Sequence, residues 1–159
     1  MSNLRKHIKS DKWKWALTLV AMILIIGAVV ALFVNVDKLT TTKTLSSLDY
    51  GLGKINETGI VVDANTSIVS KDIYTVDGIV VEISDDANIT YRLAFYNENE
   101  EYISTTEALN ENFDVETIPE NATLFRVEIT PNQVEEEDVT MSVFDIPTYA
   151  NQLTVTFNK

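Results

Sequence analysis

The stretch ITYRLAFYNENEEYIST, Ile89 to Thr105, carries an apolar residue at every second position of its first half: Ile89, Tyr91, Leu93 and Phe95. It then breaks into the polar run Asn97 to Glu100 before Tyr102, Ile103 and Ser104 resume. Successive side chains of a strand point to opposite faces, so this period lays one apolar face against a core. The Asx-rich break supplies turn chemistry between two antiparallel strands.

The same period recurs on both sides of this stretch. Ile79, Val81 and Ile83 alternate, as do Phe125, Val127 and Ile129, then Val139, Met141 and Val143, and finally Leu153, Val155 and Phe157. Asp77-Gly78 reads as a hairpin turn between IYTV and IVVEI, and Pro119, Pro131 and Pro147 punctuate the remainder. Short strands with one apolar face each require a second layer to cover that face. The expected fold is therefore all-β, an antiparallel β-sandwich of jelly-roll-like or immunoglobulin-like arrangement.

Upstream the period changes. From Trp15 to Val36 the chain runs 22 residues without a charge, and at about 1.5 Å rise per residue a helix of that length crosses a hydrocarbon core of roughly 30 Å. A secretory signal has a shorter apolar region ending in a small-x-small cleavage site. Val29-Val30-Ala31 comes nearest to one, but Leu32, Phe33 and Val34 continue the apolar run. A retained anchor is the expectation, with a cleaved signal as its competitor. Trp13 and Trp15, beside a lysine-rich flank, suit a membrane interface.

Charge sets the orientation. Residues 1–36 hold five basic groups and one acid, net +4, whereas residues 37–159 hold seven basic groups and 23 acids, net −16, which together make the −12 of the whole chain. Lys and Arg resist translocation, so the N-terminus is expected in the cytoplasm and the acidic part outside it, at the cell membrane. The expected organisation is a basic cytoplasmic tail over 1–14, a transmembrane helix over 15–36, a stalk over 37–60 and the sandwich over 61–159. The stalk, rich in Thr, Ser and Gly, also carries Leu45, Leu48, Leu52 and Ile55 at helix-like spacing, which leaves open a short helix or a first strand packed on the domain. Gly27 and Ala31 form a small-xxx-small pair through which two spans can approach, making a homo-oligomer one expected partner.

Segment Ile89 to Thr130 resembles the jelly-roll, carbohydrate-binding-like modules of Gram-positive bacterial surface proteins and phage tail proteins. The resemblance rests on Phe95-Tyr96 ending a strand, the turn Asn97 to Glu100, the strand Tyr102-Ile103-Ser104, Pro119 to Ala122, and Phe125-Arg126-Val127. It covers about a quarter of the chain, and its elements are mostly structural. It implies a jelly roll and a binding or adhesion role toward a glycan or cell-envelope polymer.

Composition excludes several chemistries. There is no cysteine, so disulfides and thiol redox or metal chemistry are out. The one histidine, His7, precedes the apolar segment, which leaves the outer part without a Ser-His or Cys-His pair. The expectation is a protein that is not an enzyme and needs no cofactor. A −16 domain is a poor partner for nucleic acid. If Tyr91, Leu93 and Phe95 face the core, alternation turns Arg92 and Tyr96 to the opposite face, and Arg126 away from Phe125 and Val127. Arg92, Tyr96, Tyr102 and Arg126 are the expected ligand-binding residues, because a planar guanidinium donates directionally and an aromatic ring suits a C–H-rich sugar face. Oxygen-rich turns are the places for a structural calcium: Asp85, Asp86 and Asn88 first, then Asn97 to Glu101 and Glu135 to Asp138, although none has the spacing of a calcium loop.

The main alternative belongs to another class. It is a structural or assembly subunit of a membrane or envelope complex, which packs through an apolar patch and takes no small ligand.

Overall fold

The structure is a computed structural model that describes residues 15–25, 41–132 and 140–159. The chain divides into a unit of residues 1–40 and a unit of residues 41–159. In the first, residues 15–25 form helix α1, whose Leu17, Leu19, Val20, Met22, Ile23, Leu24 and Ile25 are all exposed. No helix among the described residues is long and apolar enough to cross a membrane. The rest of the expected span, 26–36, and the tail with His7 lie outside the described residues.

The second unit is built mostly of antiparallel strands. In chain order these are β1 (Thr42–Thr44), β2 (Tyr50–Leu52), β3 (Lys54–Ile55), β4 (Val61–Val62), β5 (Ile68–Ser70), β6 (Tyr74–Thr75), β7 (Val80–Ile83), β8 (Ile89–Tyr96), β9 (Tyr102–Thr105), β10 (Leu124–Pro131) and β11 (Leu153–Asn158), with helix α2 (Ile146–Ala150) before the last. The larger sheet runs β2-β5-β10-β8-β9, with β6 also on β10; a smaller sheet runs β1-β11-β7; and β3 pairs with β4 alone.

Register explains the core. On β8 and β10, Phe95 stands opposite Phe125, Leu93 opposite Val127 and Tyr91 opposite Ile129. On the smaller sheet, Val81 faces Val155 and Ile83 faces Leu153. The inward rows of both sheets merge into one apolar cluster with Tyr50, Ile68 and Ile79. Within it Tyr74, Phe125 and Phe157 stack at centroid distances of 4.9 to 6.0 Å. Each such side chain contributes about 1.5–3 kcal/mol on burial, which is how a domain without disulfides is held together.

Three expectations are corrected. The stretch 37–60 is not a stalk from 41 onward: β1 pairs with the C-terminal strand, β2 pairs with β5, and Leu45, Tyr50 and Ile55 are buried. Partners far along the chain, rather than local period, recruit these Thr- and Gly-containing residues into the fold. Asp77-Gly78 is a tight turn, with Ile79 N–H bonded to the Val76 carbonyl and Gly78 at φ 61°, but it is not a hairpin. β6 pairs with β10 and β7 with β11, so this turn carries the chain from one sheet to the other. The alternation Val139, Met141, Val143 does not form a strand across its described part. Met141 is buried, while Val143 is exposed in a turn that leads into α2, whose Pro147 suits the first helical turn.

Candidate functional site

The outer face of the larger sheet carries Arg92, Ala94 and Tyr96 on β8, opposite Glu128, Arg126 and Leu124 on β10. The β3–β4 hairpin folds over this face, and Ile55, Val69, Ala94 and Tyr96 make a second apolar cluster with Val61, Ile73, Tyr102 and Leu124 packed against it. The larger sheet is thus covered on both sides, and this cover decides the fate of each expected ligand residue.

Arg92 donates from Nη2 to Oε1 of Glu128 at 2.7 Å. Glu128 is 2% exposed, and its Oε2 accepts the Ile55 backbone N–H at 2.6 Å. One buried carboxylate therefore fixes the arginine head and ties the hairpin to the sheet. Tyr96, expected on an open face, is 3% exposed. Its hydroxyl donates to the Gly59 carbonyl at 2.6 Å, and burial raises its pKa, opposed by the nearby Arg126 charge. Alternation places it on the correct face, but the hairpin closes that face, so Tyr96 is a packing residue and not a stacking platform. Tyr102 is half-buried, meets the Tyr96 ring edge-on at 6.0 Å, and shares a hydrogen bond of 2.9 Å with Thr105 Oγ1.

Arg126 differs from Arg92. It is half-buried, its Nε is fully covered with no hydrogen-bond partner, and no carboxylate lies within ion-pair distance among the described residues.

Two clefts flank β9. One, of about 540 Å³, is lined by Lys54, Ile55, Asn56, Glu57, Arg92, Tyr102, Thr105 and Thr106. It brings together Arg92 and Tyr102 of the expected set and leaves out Tyr96 and Arg126. The other, of about 470 Å³, lies on the core side, with Phe95, Leu109 and Phe113 among its walls and Glu107, Glu111 and Asp114 at its rim. Sequence reasoning missed Glu128, Lys54, Thr105 and Thr106. Glu128 alone had a readable signal, as an acid two residues from Arg126 and so on the same alternating face of its strand.

Two of the three calcium candidate stretches lie within the described residues, with turns at Asp85-Asp86 and Glu98-Asn99. Asp85, Asp86 and Asn88 are exposed; the Asn88 main chain bonds Gln152 Oε1 at 2.7 Å and the Asn132 N–H at 3.0 Å. Asp85 lines a cleft with Glu111 that Asp86 and Asn88 do not line. The Asn97 side-chain oxygen accepts the N–H groups of Asn99 and Glu101, and its amide donates to Glu101 Oε2, so these two side-chain oxygens are engaged within the turn. Among the described residues no three or more acidic or histidine side chains converge on a point where a metal would sit. Glu135 to Asp138 lie outside the described residues.

Compared with known protein families, with curated proteins and with solved structures, the chain finds no match in any of the three.

Proposed function

We propose that this chain is a single-pass, membrane-anchored module that holds a jelly-roll-like sandwich outside the cytoplasm and binds a glycan or other cell-envelope polymer without catalysis. The anchor rests on the uncharged run 15–36 and the step from +4 to −16 across it. The observation that carries the binding reading is the 540 Å³ cleft beside β9, where Arg92, held in place by Glu128, shares the wall with Lys54, Asn56, Tyr102 and Thr105. Pre-positioned polar side chains around a ring edge are what a hydroxyl-rich ligand requires. The test is retention of the full chain, in detergent, on immobilised cell-envelope polymer. Retention that weakens in Lys54→Ala and Tyr102→Phe at unchanged melting temperature supports the reading. Equal retention in both variants removes the cleft from it.

One observation favours the assembly-subunit reading as the second choice. Leu48 is 81% exposed and Phe144 88% exposed. The turn bearing Leu48 packs against α2, which starts two residues after Phe144. Large apolar side chains held out to water beside one helix suit a protein partner.

A further inference from the structure

We infer that Arg126 is a receptor for an anionic group, a phosphate or carboxylate, on whatever the sandwich binds. This inference rests on the polymer reading and narrows its ligand class. The two arginines of the domain stand on the same face of the same sheet, diagonal neighbours through the pairs Arg92–Glu128 and Ala94–Arg126. One is satisfied by a buried carboxylate. The other has no ion-pair partner among the described residues.

A guanidinium has five N–H donors, and covering one of them without a partner costs free energy that a fold does not normally spend. Arg126 nonetheless has its Nε fully covered and without a hydrogen-bond partner among the described residues. Its surroundings sharpen the point. The residue opposite is Ala94, too small to fill the space or accept a bond, and Ala94, Tyr96, Leu124 and Ile73 belong to the apolar cluster of this face. The Tyr96 hydroxyl, which feels the Arg126 charge, donates its hydrogen bond to the Gly59 carbonyl. An incoming anion gains from the planar, bidentate fork of the guanidinium. Arg126 is half-buried and not sealed from the surface. The net charge of the domain works against free anions at long range, which favours an anionic group delivered on a larger ligand held by other contacts.

The experiment uses the full chain in detergent and three probes at matched ionic strength: inorganic phosphate, polyphosphate and neutral dextran. Thermal melting and retention on the immobilised polymer are read for the wild type, Arg126→Gln, Arg126→Lys and Arg126→Met. The expected result is a phosphate-dependent rise in melting temperature that Arg126→Gln abolishes and Arg126→Lys reduces, with polyphosphate bound at least about tenfold more tightly by the wild type than by Arg126→Gln. Without any anion, Arg126→Met melts higher than the wild type, since it removes an unpaired, partly desolvated charge. A lower melting point for Arg126→Met, or an equal phosphate response in Arg126→Gln, overturns the inference by making the arginine structural. Failure of any envelope polymer to bind, with the phosphate response intact, sinks the polymer reading and leaves the anion site standing. Polymer retained equally by Arg126→Gln does the reverse.

Discussion

Arg92 and Glu128 stand directly opposite each other on β8 and β10, joined at 2.7 Å, with the carboxylate almost wholly buried and the arginine side chain 37% exposed. The second carboxylate oxygen holds the Ile55 N–H, so this pair also anchors the β3–β4 hairpin that covers the sheet. Removing the arginine leaves a buried negative charge with one neutral donor. We expect Arg92→Met to cost about 2–3 kcal/mol, below the range for a fully buried pair because water reaches the arginine. Replacing both residues by methionine should cost less than the two single changes added together, the orphaned Ile55 N–H being the main residue of the loss. Urea unfolding of the four proteins measures this, and additivity of the two single changes would show that the pair is uncoupled.

Gly59 has the hairpin in its keeping. Its φ is +78°, the Tyr102 ring lies where a Cβ would be placed, and its carbonyl takes the Tyr96 hydroxyl. Gly59→Ala should therefore destabilise by about 1–3 kcal/mol, through strain and displacement of the ring. Gly51 is the control. A Cβ there meets only the Lys71 side chain at 3.8 Å, and Gly51→Ala should stay within about 0.5 kcal/mol of the wild type. Equal effects at the two glycines would contradict the packing described for the hairpin.

These two sites also mark what the sequence made legible. The alternations of β7, β8, β10 and β11, and the turn at Asn97 to Glu100, follow from period and turn chemistry, because each has an inward row that pays no heed to distant partners. β1 and β2 carry no such period; their places come from pairing with β11 and β5, over 100 residues away in the first case. Alternation likewise assigns Arg92, Tyr96 and Arg126 to one face but says nothing of whether that face is wet. A two-residue hairpin strand, Lys54–Ile55, settles that, and nothing in its local sequence announces where it will fold. Met141 keeps its inward position, yet the turn stapled by Ser142 and Asp145 stops the strand that its neighbours suggest.

Asp49 gives the fold a pH dependence of known sign. Lys43 donates to its Oδ1 at 2.9 Å, the Ser46 backbone and hydroxyl donate to its Oδ2, and these bonds hold its pKa down to about 2, with the lysine the largest cause. The folded carboxyl binds its proton less tightly than the unfolded one, so its stabilisation is complete above the ordinary value near 3.8 and is lost as pH falls toward 2. The pair is solvent-reachable, which keeps the effect to about 1 kcal/mol. Asp49→Asn should accordingly lower the urea midpoint at pH 6 and lose its effect near pH 2. A pH-independent difference between the two proteins would assign the stabilisation to packing instead.

Leu48 and Phe144 are presented in the same way. Each is the third residue of a Ser-x-x-Asp turn, and in each turn the serine N–H and hydroxyl both donate to the aspartate Oδ2 at 2.8 Å. The turns are fixed by their own hydrogen bonds, so the apolar residues between them are held outward without any packing that would reward the arrangement. Leu48→Ser and Phe144→Ser should therefore leave the melting temperature within the range of ordinary surface changes, about 0.5 kcal/mol in stability. If this corner docks on a protein, the same two variants should each lose much of the crosslinked product that the wild type forms in its native membrane, since each removes apolar area that the interface would bury. Crosslinking that is unchanged in the double variant would remove the corner as an interface and, with it, the observation that favours an assembly subunit over a polymer-binding module.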